Sequence, residues 1–149
     1  MSSMLLFAGI FKVIPGPFTD IKLYPKIFSN GESFAYAMYY FPREIPENTE
    51  DVEMRYWRGL LQGRGYFWLK YKTDIHEIEE LKKKYPFENR ITSKLHSVLR
   101  GFNYFEKNRL ETDVFDEENN PFYSYDISYK SGIGYNNSTQ EVFYWYYVE

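Results

Sequence analysis

The stretch "EVFYWYYVE", Glu141 to Glu149, closes the chain and decides the fold. It places five aromatic residues in a row, where most chains carry small polar residues. On a β-strand, successive side chains point to opposite faces of the sheet. Phe143, Trp145 and Tyr147 would then share one face, with further rings on the other. Rings on both faces need cover from other elements, so the pattern predicts a central strand rather than a free tail.

The composition predicts a core built from a few large rings. The chain has 149 residues, of which 21% are aromatic, with Tyr more frequent than Phe. A chain of this length suits one domain, and a buried ring removes about 150–250 Å² from water. Tyrosine also suits half-exposed positions, because its ring can pack while its hydroxyl stays solvated. We therefore expect a single domain, residues 1–149, with tyrosines on its rims.

Several classes of protein are disfavoured by what the sequence lacks. It contains no Cys, which excludes disulfides, thiolate zinc sites and a cysteine nucleophile. The apolar run near the start, residues 4–14, lacks a basic leader and is interrupted by Lys12, so it predicts a strand and not a secretion signal. No apolar stretch approaches the roughly 20 residues that span a bilayer. We expect a cytoplasmic protein without a cofactor, a metal ion or a membrane partner.

Turn signals divide the chain into short segments of two types. Alternating or apolar runs predict strands at 4–14, 20–28, 33–41, 66–72, 122–130 and 140–149. Helical spacing predicts helices over 52–61, 74–85 and from 88 to an end between 101 and 108. Asn30-Gly31 predicts a hairpin turn, and residues 131–139 predict a loop. This order predicts an α+β fold, in which an antiparallel or mixed sheet of about six strands carries two to three short helices on one face.

Charge is distributed unevenly along the chain. The net charge is −3, but residues 110–149 hold one basic and eight acidic side chains. Residues 70–109 hold ten basic and six acidic side chains. Acidic clusters lie around Glu50 and around Glu117, and neither has the spacing of a calcium loop. Such clusters predict solvated loops or a docking surface for a basic partner.

The leading hypothesis is a protein that binds and occludes another protein. Tyr- and Trp-rich surface beside acidic loops is typical of recognition surfaces, and no convincing catalytic set is present. An inhibitor or antidote, of the immunity type or a phage counter-defence factor, would fit a partner with a basic site. The candidate electrostatic contacts are Asp116, Glu117, Glu118, Glu50 and Asp51. The candidate aromatic anchors are Tyr123, Tyr125 and Trp145.

Two alternatives stay open. A nuclease or other phosphate-handling enzyme that needs no metal could use His96, Lys94 and Arg100 as base, acid and phosphate clamp. The acidic balance of the chain disfavours a nucleic-acid partner, because such proteins usually carry a basic excess. The other alternative is a subunit of a larger assembly, for instance a phage structural protein. An activity assay would distinguish the enzyme from the leading hypothesis, and the size of the isolated chain in solution would distinguish the assembly subunit.

Overall fold

The computed structural model describes residues 18–29, 38–57, 65–108 and 119–148. Its helices are α1 (Tyr24–Ser29), α2 (Ile75–Lys84), α3 (Ser93–Gly101) and α4 (Tyr104–Lys107), and a 3-10 turn (Ile21–Leu23) precedes α1. Its strands are β1 (Glu50–Trp57), β2 (Gly65–Lys72), β3 (Phe122–Ser128), β4 (Ser131–Asn136) and β5 (Glu141–Val148). The α+β class is therefore confirmed, with five strands in the described residues where about six were predicted.

The strands form one antiparallel sheet in the order β1-β2-β5-β4-β3. The last strand of the chain lies at its centre, as its two-sided ring pattern predicts. Trp145 pairs with Trp68 of β2 on one side and with Gly132 of β4 on the other. Both neighbours of β5 are thus strands that precede it in the sequence, so the sheet closes through its final segment.

Each face of the sheet carries its own core. One face buries Phe67, Leu69 and Tyr144 beneath α1, α2 and the segment 38–41. The other face buries Phe143 and Trp145 beneath α3 and α4. The prediction that helices cover one face only is therefore wrong. Rings alternate onto both faces of β2 and β5, and each face needs its own cover to remove them from water.

Three segments adopt a different structure from the one predicted. Residues 20–28 form the 3-10 turn and α1 instead of a strand, and Pro25 suits the first turn of a helix, where its missing N–H costs nothing. Residues 50–57 form β1 instead of a helix. Val52 and Tyr56 are four residues apart, a spacing that places side chains on one face in a strand as well as in a helix. Residues 38–40 form a turn that covers the sheet, not a strand.

The segment predicted as a loop contains β4. Gly132 and Gly134, which suggest turns in the sequence, lie inside this strand. A Cβ atom on Gly132 would lie 2.2 Å from Cζ2 of Trp145, so the missing side chain makes room for the indole ring. Glycine here serves close packing between neighbouring strands.

Other local predictions are confirmed or lie outside the described residues. Asp74 caps α2 by accepting a hydrogen bond from the Glu77 N–H at 3.0 Å, as the capping-box spacing predicts. β2, β3 and β5 match three predicted strands to within two residues. The predicted strand 4–14 and the turn at Asn30-Gly31 lie outside the described residues.

Candidate functional site

Four tyrosines, two exposed and two half-buried, belong to one region of the described chain: Tyr85 interacts with Tyr39 and stacks on Tyr125 of β3, and Tyr129 lies in the turn that follows β3. We call Tyr39, Tyr85, Tyr125 and Tyr129 the tyrosine surface. Tyr39 and Tyr129 are each 71% exposed, well above the other exposed large hydrophobic side chains of the described chain. Large exposed rings that carry a hydroxyl are characteristic of protein contact surfaces.

Ring contacts hold the tyrosine surface in place. Tyr85, which follows α2, stacks on Tyr125 of β3 with ring centroids 5.7 Å apart and planes at 29°. Tyr39 meets the buried Tyr40 edge-on at 5.7 Å. The Tyr40 hydroxyl donates to the main-chain oxygen of Trp145 at 2.5 Å. The turn that carries Tyr39 is thereby fixed to the central strand, so this exposed ring projects from an ordered support.

The hairpin turn between β3 and β4 supports Tyr129. The hydroxyls of Ser128 and Ser131 lie 2.7 Å apart across the turn, and Ser128 also accepts from the Lys130 N–H at 3.1 Å. The Lys130 main-chain oxygen accepts from the Tyr147 N–H of β5 at 2.9 Å. These bonds restrain the main chain of the turn that carries Tyr129 and Lys130.

Two lysine ammonium groups lie over rings of the tyrosine surface. The Lys84 Nζ lies 5.5 Å from the centroid of the Tyr85 ring, and the Lys130 Nζ lies 5.1 Å from that of Tyr129. Burial raises the pKa of Tyr85, and the neighbouring Tyr39 and Tyr125 raise it further. Within the described residues, the Tyr85 hydroxyl is buried without a hydrogen-bond partner. The surface therefore combines phenol hydroxyls with two ammonium groups.

The three predicted aromatic anchors differ in burial and in the rings that they contact. Tyr125 is half-buried and belongs to the tyrosine surface. Tyr123, also half-buried, stacks flat on Tyr135 at 5.0 Å, which occupies one face of its ring. Trp145 is fully buried in the core beneath α3, so no partner can reach it. A strand at the centre of a sheet with cover on both faces has no outward side, and this removes Trp145 from any contact surface.

Of the predicted acidic contacts, the structure describes only Glu50 and Asp51, and they start the strand at the edge of the sheet opposite β3. Glu50 and Asp51 are exposed at the start of β1, where a bulge gives Asp51 a left-handed φ of 51°. β1 and β3 form opposite edges of the sheet. Four strand spacings separate those edges by about 19 Å. Asp116, Glu117 and Glu118 lie outside the described residues.

The three residues of the enzymatic alternative do not meet in one site, because Lys94 is directed away from His96. Lys94 and His96 are both on α3, two positions apart, which rotates their side chains by about 200° around the helix. The Lys94 Nζ lies 4.4 Å from the Tyr147 ring centroid, whereas the His96 ring packs against Phe105 at 5.3 Å. Arg100 is exposed on the same helix. The helix therefore directs Lys94 and His96 to different neighbours.

An open cleft of about 740 Å³ lies at the start of α3. His96, Arg90 and Ser93 line it, together with Asn89 and Asn120. The Arg90 Nε is 2.9 Å from a Glu88 carboxylate oxygen, and Arg90 also approaches Asp126 at 3.8 Å. The guanidinium is thus already shared between two carboxylates. Among the described residues, no three His, Cys, Asp or Glu side chains lie close enough together to hold a metal ion.

Sequence reasoning missed Tyr39 and Tyr85 as surface residues. Alternation along 33–41 assigned Tyr39 to a strand, whereas the structure places it in a turn. Tyr85 directly follows α2 and precedes Pro86, a position that suggests only a helix end. The tyrosine-rich composition was the available signal, but it does not say which rings remain exposed.

Comparison with family models, with curated proteins and with solved structures finds no match for this chain. In the described parts of the chain, every helix is too short or too polar to cross a bilayer. The fold and the site thus define an α+β protein with a central C-terminal strand and an ordered tyrosine surface.

Proposed function

We propose that this protein binds another protein through the tyrosine surface and acts as an inhibitor or antidote by occluding its partner. The observation that carries the proposal is the pair Tyr39 and Tyr129, each 71% exposed and each mounted on a hydrogen-bonded turn. Leaving two large rings in water brings no folding benefit, whereas contact with a partner would bury them.

Tyrosines suit such a role for an energetic reason. A tyrosine side chain has only two main torsions, so fixing it on binding costs little conformational entropy for the area it buries. Stacking between Tyr85 and Tyr125 orders the centre of the surface before any partner arrives. Contact residues of this type often cost about 2 kcal/mol or more of binding free energy when they are truncated.

The acidic segments add a second element to the proposal. Asp116, Glu117 and Glu118, with Glu50 and Asp51, would attract a basic site on the partner and raise the association rate at low salt. Charge reversal at Asp116, Glu117 and Glu118 is expected to slow association, and unchanged kinetics at low salt would count against this steering role.

The test of the contact surface compares matched variants in a pull-down from the native host. Tyr39→Ser combined with Tyr129→Ser should lose the partner that the unchanged chain retains, while leaving the melting temperature unchanged. Ile75→Ser serves as the control, because Ile75 is 41% exposed and begins α2 away from these tyrosines. Equal recovery of every bound protein by all three chains would contradict the proposal.

A phosphate-handling enzyme is the second candidate, favoured by the cleft that His96 and Arg90 line together. An imidazole can act as general base or acid on a phosphodiester, and a guanidinium can clamp the phosphate by charge, so such chemistry needs no metal. Hydrolysis of RNA or DNA by the purified chain in EDTA, lost in His96→Ala, would establish this activity. If the chain hydrolyses neither substrate, or if His96→Ala is equally active, the proposal of a phosphate-handling enzyme that uses His96 is wrong.

A further inference from the structure

A second group of aromatic residues lies on the sheet face that α3 and α4 cover. We call Tyr66, Trp68 and Tyr147, with the cations Arg55 and Lys94, the stacking cluster. The Tyr66 and Trp68 rings stack at 4.2 Å with planes at 20°, and Trp68 meets Tyr147 edge-on at 5.9 Å. Tyr66 and Tyr147 are also register partners on β2 and β5, and both are half-buried. Two of three neighbouring rings therefore stay partly open to solvent.

The two cations border these same rings. The Lys94 Nζ, on α3, lies 4.4 Å from the centroid of the Tyr147 ring. Arg55 of β1 is the register partner of Trp68 and is half-buried. Burial raises the pKa of Tyr66, and the positive charge of Arg55 opposes this rise, so Arg55 acts on Tyr66 as well. Contacts thus connect all five members of the cluster.

Neither cation of the stacking cluster is neutralised within the described residues. Arg55 and Lys94 form no ion pair there. Glu53, two positions before Arg55, already contacts two lysines at 2.9 Å each. Burial raises the pKa of Asp126, and Arg90 opposes this more than Lys94 does, so Arg90 is the main partner of that carboxylate. The cluster therefore offers two positive charges to a ligand.

The stacking cluster also holds unused hydrogen-bond donors. Among the described residues, Arg55 Nε, Trp68 Nε1 and Tyr147 Oη are buried without a hydrogen-bond partner. A buried donor that lacks an acceptor destabilises the fold, and a ligand oxygen would offset this once the side chains turn toward it. The cluster is therefore suited to a ligand that carries negative charge and many acceptor oxygens.

We infer that the stacking cluster binds single-stranded nucleic acid, with bases on the Tyr66 and Tyr147 rings and phosphates at Arg55 and Lys94. Every base has a flat face that stacks on an aromatic ring, and each phosphate brings a charge and acceptor oxygens. An acidic protein segment would match the cations but would leave the open rings without a flat partner. The site is separate from the tyrosine surface, because Tyr85 packs against the core on the opposite face of the sheet.

Fluorescence anisotropy of a labelled thymidine strand of about ten nucleotides, in EDTA, tests this binding. The unchanged chain is expected to bind the strand, and Tyr66→Ser to bind it roughly tenfold more weakly, since a stacked base loses its ring. Two phosphate contacts predict a slope of about −1.4 for the logarithm of the binding constant against that of the salt concentration. Lys94→Gln should weaken binding and reduce the slope to about −0.7.

Two control variants separate this site from other parts of the molecule. Lys83→Gln removes the same charge from α2, where Lys83 pairs with Glu80 at 2.6 Å, and should change the affinity less than about twofold. His96→Ala removes the imidazole of the enzymatic candidate and should leave binding unchanged. Loss of binding in His96→Ala alone would place the strand in the cleft that His96 lines and would overturn the stacking cluster as its site.

The remaining outcomes decide the inference directly. No binding by the unchanged chain in about 50 mM salt would overturn it, as would equal binding by the unchanged chain, Tyr66→Ser and Lys94→Gln. Lys94→Gln carries the test if Tyr66→Ser fails to fold, which a melting curve of each variant shows. A labelled glutamate peptide that binds as tightly as the strand, and equally to Tyr66→Ser, would also overturn it and would assign the cations to an acidic protein segment.

Discussion

The Tyr85 hydroxyl shows how a single polar atom can oppose folding. It is buried without a hydrogen-bond partner in the described chain, and burial raises its pKa. A buried donor without an acceptor costs about 1–3 kcal/mol, because its bonds to water are lost and not replaced. Tyr85→Phe keeps the stacked ring and removes this cost, so we expect it to raise the free energy of unfolding by about 1 kcal/mol.

The matched control for Tyr85 is Tyr40. Its hydroxyl donates to the Trp145 main-chain oxygen, so Tyr40→Phe removes a hydrogen bond and leaves a buried acceptor. We expect this change to lower the free energy of unfolding by about 1–3 kcal/mol. Denaturant titrations of both variants measure the contrast, and a Tyr85→Phe variant no more stable than the parent would refute the expectation.

Gly132 is a position where the fold requires a residue without a side chain. A Cβ atom there would lie 2.2 Å from Trp145 Cζ2 and 2.7 Å from the Tyr125 main-chain oxygen. Overpacking of this kind costs about 1–3 kcal/mol or more, because the ring or a strand must shift. We therefore expect Gly132→Ala to lower the melting temperature more than Gly134→Ala does. At Gly134 the nearest atom is the end of the Leu95 side chain at 3.1 Å, and equal losses would contradict the argument.

The sequence predicted those elements whose apolar pattern and whose capping or turn residues indicate the same structure. β2 has an alternating ring pattern, and α2 has a capping residue, an apolar stripe and a proline after its end. β1 was missed because an even spacing of apolar residues fits two periodicities. β4 was missed because its two glycines resemble turn signals, and only the packing of Trp145 and Leu95 against them explains their positions. At β1 and at β4, packing against residues distant in the sequence determines that the segment forms a strand.

An ionic network joins four elements on the α3–α4 side of the sheet. Lys70 of β2 is 4% exposed, and its Nζ lies 2.9 Å from Glu53 of β1 and 3.4 Å from Glu141 of β5. Lys107 of α4 also contacts Glu53 at 2.9 Å. Burial would raise the pKa of Glu53, but hydrogen bonds from Lys70 and Lys107 outweigh it and hold the pKa below the ordinary value. The network therefore depends on an ionised Glu53.

This dependence predicts the direction of an acid effect on stability. Because the folded-state pKa of Glu53 is depressed, its contribution is fully present above the ordinary value of 4.5 and is lost as pH falls below it. Glu53→Gln should be less stable than the parent at neutral pH and should lose less of its stability below about pH 4.5. Glu80→Gln, in an exposed pair with Lys83, is the control. Parallel pH profiles for the parent and Glu53→Gln would show that the network does not titrate.

At the scale of the whole molecule, the sequence predicted the fold class better than the candidate site. The central position of β5 followed from rings on both faces of one strand. The location of the tyrosine surface did not, because it depends on a turn at 38–40, on the residue after α2 and on a hairpin tip. These places are separate in sequence, and tertiary packing alone assembles Tyr39, Tyr85 and Tyr125.

Each edge strand of the sheet makes one isolated bridge to a residue outside the strands. Phe18 makes a single antiparallel bridge to Tyr56 of β1, and Glu88 makes one to Ser124 of β3. Each bridge exchanges two main-chain hydrogen bonds of 2.7–3.0 Å. Each bridge occupies the main-chain groups at one position of its edge strand, groups that could otherwise pair with another chain.

The central position of β5 leads to a prediction about the stability of the whole molecule. β5 pairs with β2 along eight positions and with β4 along six, and it contributes buried residues to both cores. Removing residues 141–149 would leave β2 and β4 without their shared partner and expose both cores to water. We expect this truncated chain to lose cooperative thermal unfolding, measured by circular dichroism, and to aggregate on size-exclusion chromatography. Removal of Glu149 alone should leave both properties unchanged. A truncated monomer with the parent's melting temperature would mean that the two cores close without their central strand.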